Sequence, residues 1–502
     1  MRPTMRTIGI AVMCSVLVLS GTATATAETG TADTVKWTPC PEKPDVECGT
    51  VTVPVDWAKP KGEKMGVAIA RRKATDPAKR VGSLLIDPGG PGGSGVNFAF
   101  DADHYFSPEI TQKFDIVGFD PRGVARSNPI VCSRELIEKG PRSGPATAAE
   151  YDKLKAYNKE LRDDCRKRSG AIYDHASTAE VAQDMDAIRR ALGEKKLNYY
   201  GISYGTIMGQ HYAERFGRNI RAMVIDSNMD HSLQLPRFVA SEARTVEDSF
   251  LEFIKWSDRT AASPLHGQDV SKIWFDLLAK ADRGELTDPQ DPTRKITADD
   301  LTGLAVGQAY GPDWPFFAGI IAGLNAGTPV ATAFAEDEAV NNPAAAVLCN
   351  DYNLNPHGFA EYQALTRLGK LIAPHTRGRS VGANVVNACV GAPPASNPQR
   401  TLNIRNAPKI LMENSLHDPA TAYEWAVNAH RQSADSTVFV TYDGWGHGVY
   451  TRSECTRTIN DRYLVDLKLP AEGAHCAAVE PVGPSAKVAG APVLPARPWA
   501  VR

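Results

Sequence analysis

No charge of either sign dominates this chain of 502 residues: 56 Lys and Arg stand against 58 Asp and Glu, a formal charge of -2. That balance excludes an electrostatic nucleic-acid binder and a strong general pull toward anionic membranes. A long hydrophobic run is also missing. Ile8–Leu19 offers about 12 apolar residues where a membrane span takes about 20, so no span is expected in the mature protein. No two cysteines stand two to four residues apart and no His cluster accompanies them, so neither a zinc site nor any cofactor is implied. The 41 Gly and 35 Pro are spread along the chain, which excludes a low-complexity protein.

The beginning of the chain reads as a secretory signal. Arg2 and Arg6 precede the apolar run, and small residues follow it, ending in Ala25-Thr26-Ala27, with cleavage expected after Ala27. Removing these residues takes two Arg and no acid, leaving a mature charge of -4. Of nine cysteines only Cys14 lies in the signal, so eight remain, an even number suited to disulfides in an oxidising compartment. They fall into near neighbours, Cys40/Cys48, Cys132/Cys165, Cys349/Cys389 and Cys455/Cys476. Proximity suggests that pairing, although eight cysteines admit about 105 connectivities. The expected product is exported and extracellular.

Strand-like segments alternate with helical ones. Val51 to Val55 and Val67 to Ala70 alternate as strands do, while Leu84-Leu85-Ile86 and Phe114–Phe119 are unbroken apolar runs of the kind buried on both faces of a parallel sheet. Ser177 with Glu180 forms a capping box for an amphipathic helix to about Leu192. A strand at Leu197–Tyr200, a helix at 206–216 and a strand at Ala222–Ile225 follow. This order predicts an α/β fold with a mostly parallel, doubly wound sheet. Residues 231–395 are mostly helical in pattern, and strands return at 409–412 and 437–441. The expected organisation is a signal at 1–27, a core at 28–230 and 396–480, a helical cap insertion at 231–395, and an extended tail at 481–502.

The chemistry starts at Ser203. Gly201-Ile202-Ser203-Tyr204-Gly205 is a G-x-S-x-G pentapeptide, which by chance would occur in roughly one chain of this length in six. Here it ends a strand and opens a helix, the strand–turn–helix that a nucleophile elbow needs. Gly89-Gly90-Pro91-Gly92-Gly93-Ser94-Gly95 follows the strand of Leu84. It lacks the Lys-Ser/Thr ending of a phosphate-binding loop and suits instead one half of an oxyanion hole. The backbone amides of Gly90 and Tyr204 would then hold the oxyanion. The base and its orienting acid are expected at carboxyl ends of late strands, which selects His447, in Gly446-His447-Gly448, and Asp418. Asp226 is the better rival acid; Asp443 reads as a turn residue and His417 as a solvated loop residue.

Together GGPGGSG at 89–95, FDPRG at 119–123, GISYGT at 201–206, Asp418-Pro419-x-Thr421 and GHG at 446–448 occur in the order of one family. Over about residues 35–480 the chain resembles the secreted tripeptidyl aminopeptidases of actinomycetes, relatives of proline iminopeptidase within the α/β-hydrolase fold. The resemblance implies a serine peptidase that releases tripeptides or other short peptides from a free N-terminus through Ser203, Asp418 and His447 and an acyl-enzyme. Peptides are the implied partner; some relatives act as carboxylesterases or on a dedicated precursor, and the alternative for this chain is an exported carboxylesterase or specific amide hydrolase with the same triad. An aminopeptidase must also bind the substrate ammonium, for which Asp226, Asp230, Glu242, Glu247 and Asp248 are candidates. The chain departs from the family at Ser227, where glycine is usual, at His231, where proline is usual, at Ala422, where proline is frequent, and at Ser257 and Ser263, where a cysteine pair is usual.

Overall fold

The computed structural model describes residues 35–141, 144–288, 293–327 and 343–481; the expected signal and all but the first residue of the expected tail lie outside them. Ten strands form one sheet: β1 (Thr38–Pro39), β2 (Glu47–Pro54), β3 (Lys64–Arg72), β4 (Gly82–Asp87), β5 (Phe114–Phe119), β6 (Leu197–Ile202), β7 (Ile220–Asp226), β8 (Ile410–His417), β9 (Thr437–Trp445) and β10 (Ala474–Cys476). Their order is β1-β2-β3-β5-β4-β6-β7-β8-β9-β10. The pairs along β1-β2-β3-β5 are antiparallel, and every later pair is parallel. Every residue of β4, β5 and β6 is buried, as unbroken apolar runs covered on both faces require.

One apolar cluster packs on each face of the sheet. Helix Thr178–Ala191 starts on the capping box of Ser177 and Glu180 and lies against helix Tyr204–Phe216. Between β7 and β8 the described residues are helical, beginning with the long helix Leu235–Arg259. This insertion has its own core, in which Phe250, Phe253, Trp274, Trp314 and Phe317 meet Trp445 from β9. Trp445 stands two residues before His447, so the insertion is packed against the strand that delivers that histidine.

The eight cysteines form four disulfides, Cys40–Cys48, Cys132–Cys165, Cys349–Cys389 and Cys455–Cys476. Their sequence separations of 8, 33, 40 and 21 residues correspond to a loop-closure stabilisation of about 2.5–4 kcal/mol each. Cys349–Cys389 joins helix Pro343–Asp351 to helix Val381–Cys389 inside the insertion.

Candidate active site

Ser203 sits between the end of β6 and helix Tyr204–Phe216, with φ 57° and ψ -121°. A non-glycine residue in that region is strained, and the surroundings hold it there. Its N–H donates to the Asp226 carbonyl (2.9 Å). The glycine loop after β4 presses against it: a Cβ on Gly89 would lie 2.3 Å from the Ile202 carbonyl oxygen and 2.9 Å from the Tyr204 nitrogen, so only glycine fits. Asp87 shapes this loop by accepting the Gly89 N–H (2.8 Å). Gly90 follows Gly89 in this loop at φ 119°, and Tyr204, first in its helix, has an N–H with no intrahelical carbonyl to meet. Ser94 caps helix Gly95–Phe100 by accepting the Asn97 N–H.

Asp418 is fully buried just past β8. Its Oδ1 accepts the N–H groups of Ala420 (2.8 Å) and Thr421 (2.9 Å), and both oxygens lie 3.0 Å from His447 Nδ1. Burial would raise the Asp418 pKa, but His447 and the two amides outweigh it and hold the carboxyl below its usual value. With Nδ1–H on the carboxylate, Nε2 of His447 is the nitrogen left to accept a proton. Thr245 of helix Leu235–Arg259 donates its hydroxyl to the Asp418 carbonyl, which ties the insertion to the acid.

His447 lies between two glycines at positive φ, Gly446 (96°) and Gly448 (80°). Its own N–H donates to the carbonyl of Tyr310 in the insertion (2.8 Å), and the Tyr310 ring meets the imidazole edge-on at 5.2 Å. The Arg452 guanidinium donates to the carbonyls of Gly448, His447 and Tyr310. Gly448 N–H donates to Ser227 Oγ (2.9 Å), while Val449 and Tyr450 donate theirs to the Asp226 carboxylate. Ser227, at φ 62°, takes the left-handed conformation that the family's glycine would adopt without strain, and its hydroxyl holds the histidine loop.

Four of the five candidates for ammonium binding are turned inward or paired. Asp226 is fully buried, with Tyr200 Oη, Ser227 Oγ and two backbone N–H groups on its oxygens, so it serves the histidine loop. Asp230 is buried and accepts from Ser232, Asn428 and Gln432. Glu247 is 2.5 Å from His375 Nδ1. Asp248 is 2.7 Å from Nδ1 of His417, so His417, expected in a solvated loop, instead ends β8 as a link to the insertion. Asp443 lies in β9, 2.6 Å from His475 Nδ1, rather than in a turn.

Glu242 differs from these. It is buried, within the field of Asp418, and receives one backbone N–H, from Gly382 at 3.3 Å. Burial pushes its carboxyl up to about 8; the Gly382 N–H opposes the rise and Asp418 adds to it. A cation brought to such a carboxyl would find a proton ready to leave and no competing partner among the salt bridges of the described residues.

Fold and site define a hydrolase of the α/β-hydrolase fold. The alpha/beta hydrolase fold family matches residues 82–295, and the family of TAP-like proteins matches 375–476. A tripeptidyl aminopeptidase of Streptomyces lividans is 32% identical over 86% of this chain and 84% of its own length. The serine protease Hip1 of Mycobacterium tuberculosis is 30% identical over 90% of this chain and 92% of its own. Carboxylesterase B of the same organism is 30% identical, with 86% of each covered. The chain belongs to the tripeptidyl aminopeptidase family of α/β hydrolases and is an enzyme, a serine hydrolase. Among the described residues, no helix is long and apolar enough to cross a membrane.

Proposed function

We propose that the protein is an exported serine aminopeptidase that releases tripeptides or other short peptides from free N-termini. The observation that carries this reading is the pairing of a strained Ser203 elbow with a His447 whose Nδ1 is held by buried Asp418, both anchored on Asp226. In this reading His447 Nε2 takes the proton of Ser203 Oγ as it attacks the scissile carbonyl. The N–H groups of Gly90 and Tyr204 stabilise the oxyanion, each by about 3 kcal/mol. His447 then protonates the departing amine. Water, activated by the same nitrogen, releases the short peptide from Ser203.

Residues 231–395 act as a cap, and Glu242 on its first long helix receives the substrate ammonium. The tripeptidyl aminopeptidase relative supports this substrate class. Four disulfides fit export to an oxidising compartment. A carboxylesterase reading uses the same triad and is favoured by the carboxylesterase relative. Mass spectrometry of products from matched peptides with free and acetylated N-termini, with Ser203→Ala as blank, separates the two. The aminopeptidase reading expects cleavage three residues in, of free-amine peptides only. Turnover of simple esters with neither peptide cut would overturn it.

A further inference from the structure

The residue after the nucleophile is held by the insertion. Tyr204 Oη donates to Oδ2 of Asp351, the last residue of helix Pro343–Asp351, and Thr178 Oγ1 contacts both. Asp351 is fully buried, and it also accepts the N–H of Thr178 (3.0 Å) and the side-chain amide of Asn397 (2.7 Å). The Asp351 carbonyl lies 3.0 Å from Nε2 of His231, the residue standing where the family has proline. His231 faces His211, whose pKa burial lowers to about 4, and burial lowers that of His231 as well. The side chains and the N–H that donate to the Asp351 carboxyl are neutral groups. Both carboxyl oxygens are thus occupied, Oδ2 by the Tyr204 and Thr178 hydroxyls and Oδ1 by the Thr178 N–H and the Asn397 amide, which holds the Tyr204 phenol in place. Cys349, two residues before Asp351, is bonded to Cys389, which fixes the helix that presents the carboxylate.

We propose that Asp351 is a positioning residue for the reaction: through the Tyr204 phenol it sets the direction of the Tyr204 N–H that holds the oxyanion. The inference rests on the serine-hydrolase reading of Ser203, and its place is outside the three residues expected to react. Asp351 touches neither Ser203 nor His447; it acts at the far end of the Tyr204 side chain. The insertion thereby contributes to turnover as well as to substrate choice.

The test compares wild-type protein with Asp351→Asn and Tyr204→Phe, after near-ultraviolet circular dichroism and Tm establish that each is folded. Asparagine keeps the shape but replaces one acceptor oxygen with a donor facing two hydroxyls. We expect kcat to fall about 10–100-fold in Asp351→Asn and about 3–10-fold in Tyr204→Phe, with KM within about twofold. Affinity for a peptidyl boronic acid, which presents a tetrahedral oxygen to the same amides, falls in parallel. The lower midpoint of the pH profile of kcat/KM stays in place, because the His447–Asp418 pair is untouched. Folded Asp351→Asn with kcat within twofold of wild type overturns the proposal. Should Asp351→Asn fail to fold, an unchanged kcat in Tyr204→Phe overturns it as well. A fall in kcat accompanied by a moved midpoint would also count against it, since general loosening of the site would do that. Failure of the underlying reading is separate and visible: Ser203→Ala would then retain activity.

Discussion

Ser203 and Asp226 are joined through the backbone, N–H to carbonyl at 2.9 Å, while the Asp226 side chain takes the N–H groups of Val449 and Tyr450 just beyond His447. One residue at the end of β7 thus holds the proposed nucleophile with its main chain and the histidine loop with its carboxylate. The placement of Ser203 relative to the histidine loop is tied to the end of one strand.

Replacing Asp226 with Asn should therefore be severe. One of the two oxygens becomes an NH2 group: at Oδ2 it would face the Tyr450 N–H and the Tyr200 hydroxyl, while the Val449 N–H keeps Oδ1, and each buried donor left unpaired costs about 1–3 kcal/mol. We expect a loss of about 2–5 kcal/mol in stability and at least about 10-fold in kcat, measured by urea unfolding and steady-state kinetics. Glu413 is the register partner of Asp226 across β7 and β8, and burial together with the Asp226 charge pushes its pKa well above the usual range. Held neutral, it should tolerate Glu413→Gln with less than about 1 kcal/mol lost, because the Asn460 side chain can still donate to the remaining oxygen.

Asp418 gives a pH prediction. Its carboxyl is held below the unfolded value of about 3.9, so the stability it contributes is present above that value and is lost as pH falls through its lower folded value. Asp418→Asn should flatten the acid limb of the stability curve below about pH 4, read by Tm against pH. It should also lower kcat by about 10³–10⁴-fold, since the wrong imidazole tautomer is then favoured. An acid limb as steep as that of wild type would show that Asp418 is not the group linked to it.

Much of this was legible in the sequence because the relevant signals are local. The apolar runs of β4 and β5 and the capping box of Ser177 and Glu180 each decide their own conformation within a few residues. So does the elbow glycine Gly201, where a Cβ would lie 2.5 Å from the Tyr199 ring two residues before it. The helix Ala148–Ser169 was not anticipated: it buries only Tyr151, Leu154, Asn158 and Cys165 among mostly charged residues, and its capping box of Thr147 and Glu150 was the available sign. The roles of Tyr310, Arg452 and Asp351 had no sequence signal. Each acts through a backbone carbonyl or a partner more than 100 residues away, or, for Arg452, through carbonyls brought together by the glycine turns of its own loop. Asp226 and Asp230 looked available because charge is visible in a sequence and inward-facing donors are not.

Glu242 should read out the substrate amine. Its carboxyl, pushed up to about 8, is mostly protonated at neutral pH, and contact with an ammonium group favours the carboxylate. Binding of a free-amine peptide at pH 7 should then release a proton, detectable as a calorimetric heat that depends on the buffer. KM should fall as pH rises toward 8, then rise again as the substrate amine, with a pKa of about 8, loses its charge. Glu242→Gln should raise KM about 10-fold for free-amine peptides and leave turnover of acetylated esters unchanged. Stability carries the opposite slope. Between about pH 4.5 and 8 folded Glu242 keeps a proton that the unfolded chain has lost, so its contribution declines as pH rises, and the Gln variant should lack that decline.

Ser257 and Ser263 offer a structural test of family membership. Their hydroxyls lie 2.8 Å apart, both residues are buried, and they stand where the resemblance places a cysteine pair. The double replacement Ser257→Cys, Ser263→Cys should oxidise spontaneously and raise Tm, with a loop-closure gain of about 2–3 kcal/mol. Free thiols by Ellman titration of the oxidised, folded variant would show that the two side chains cannot meet as sulfurs.

Whether Ser203 is the nucleophile can be read from intact-protein mass spectrometry after acid quench of a reaction with an activated peptidyl ester. Wild type should gain one acyl mass, mapped to the peptide containing Ser203, with none in Ser203→Ala and kcat of that variant down at least about 10³-fold. An adduct on another residue, or turnover by Ser203→Ala near the wild-type rate, would contradict that role for Ser203.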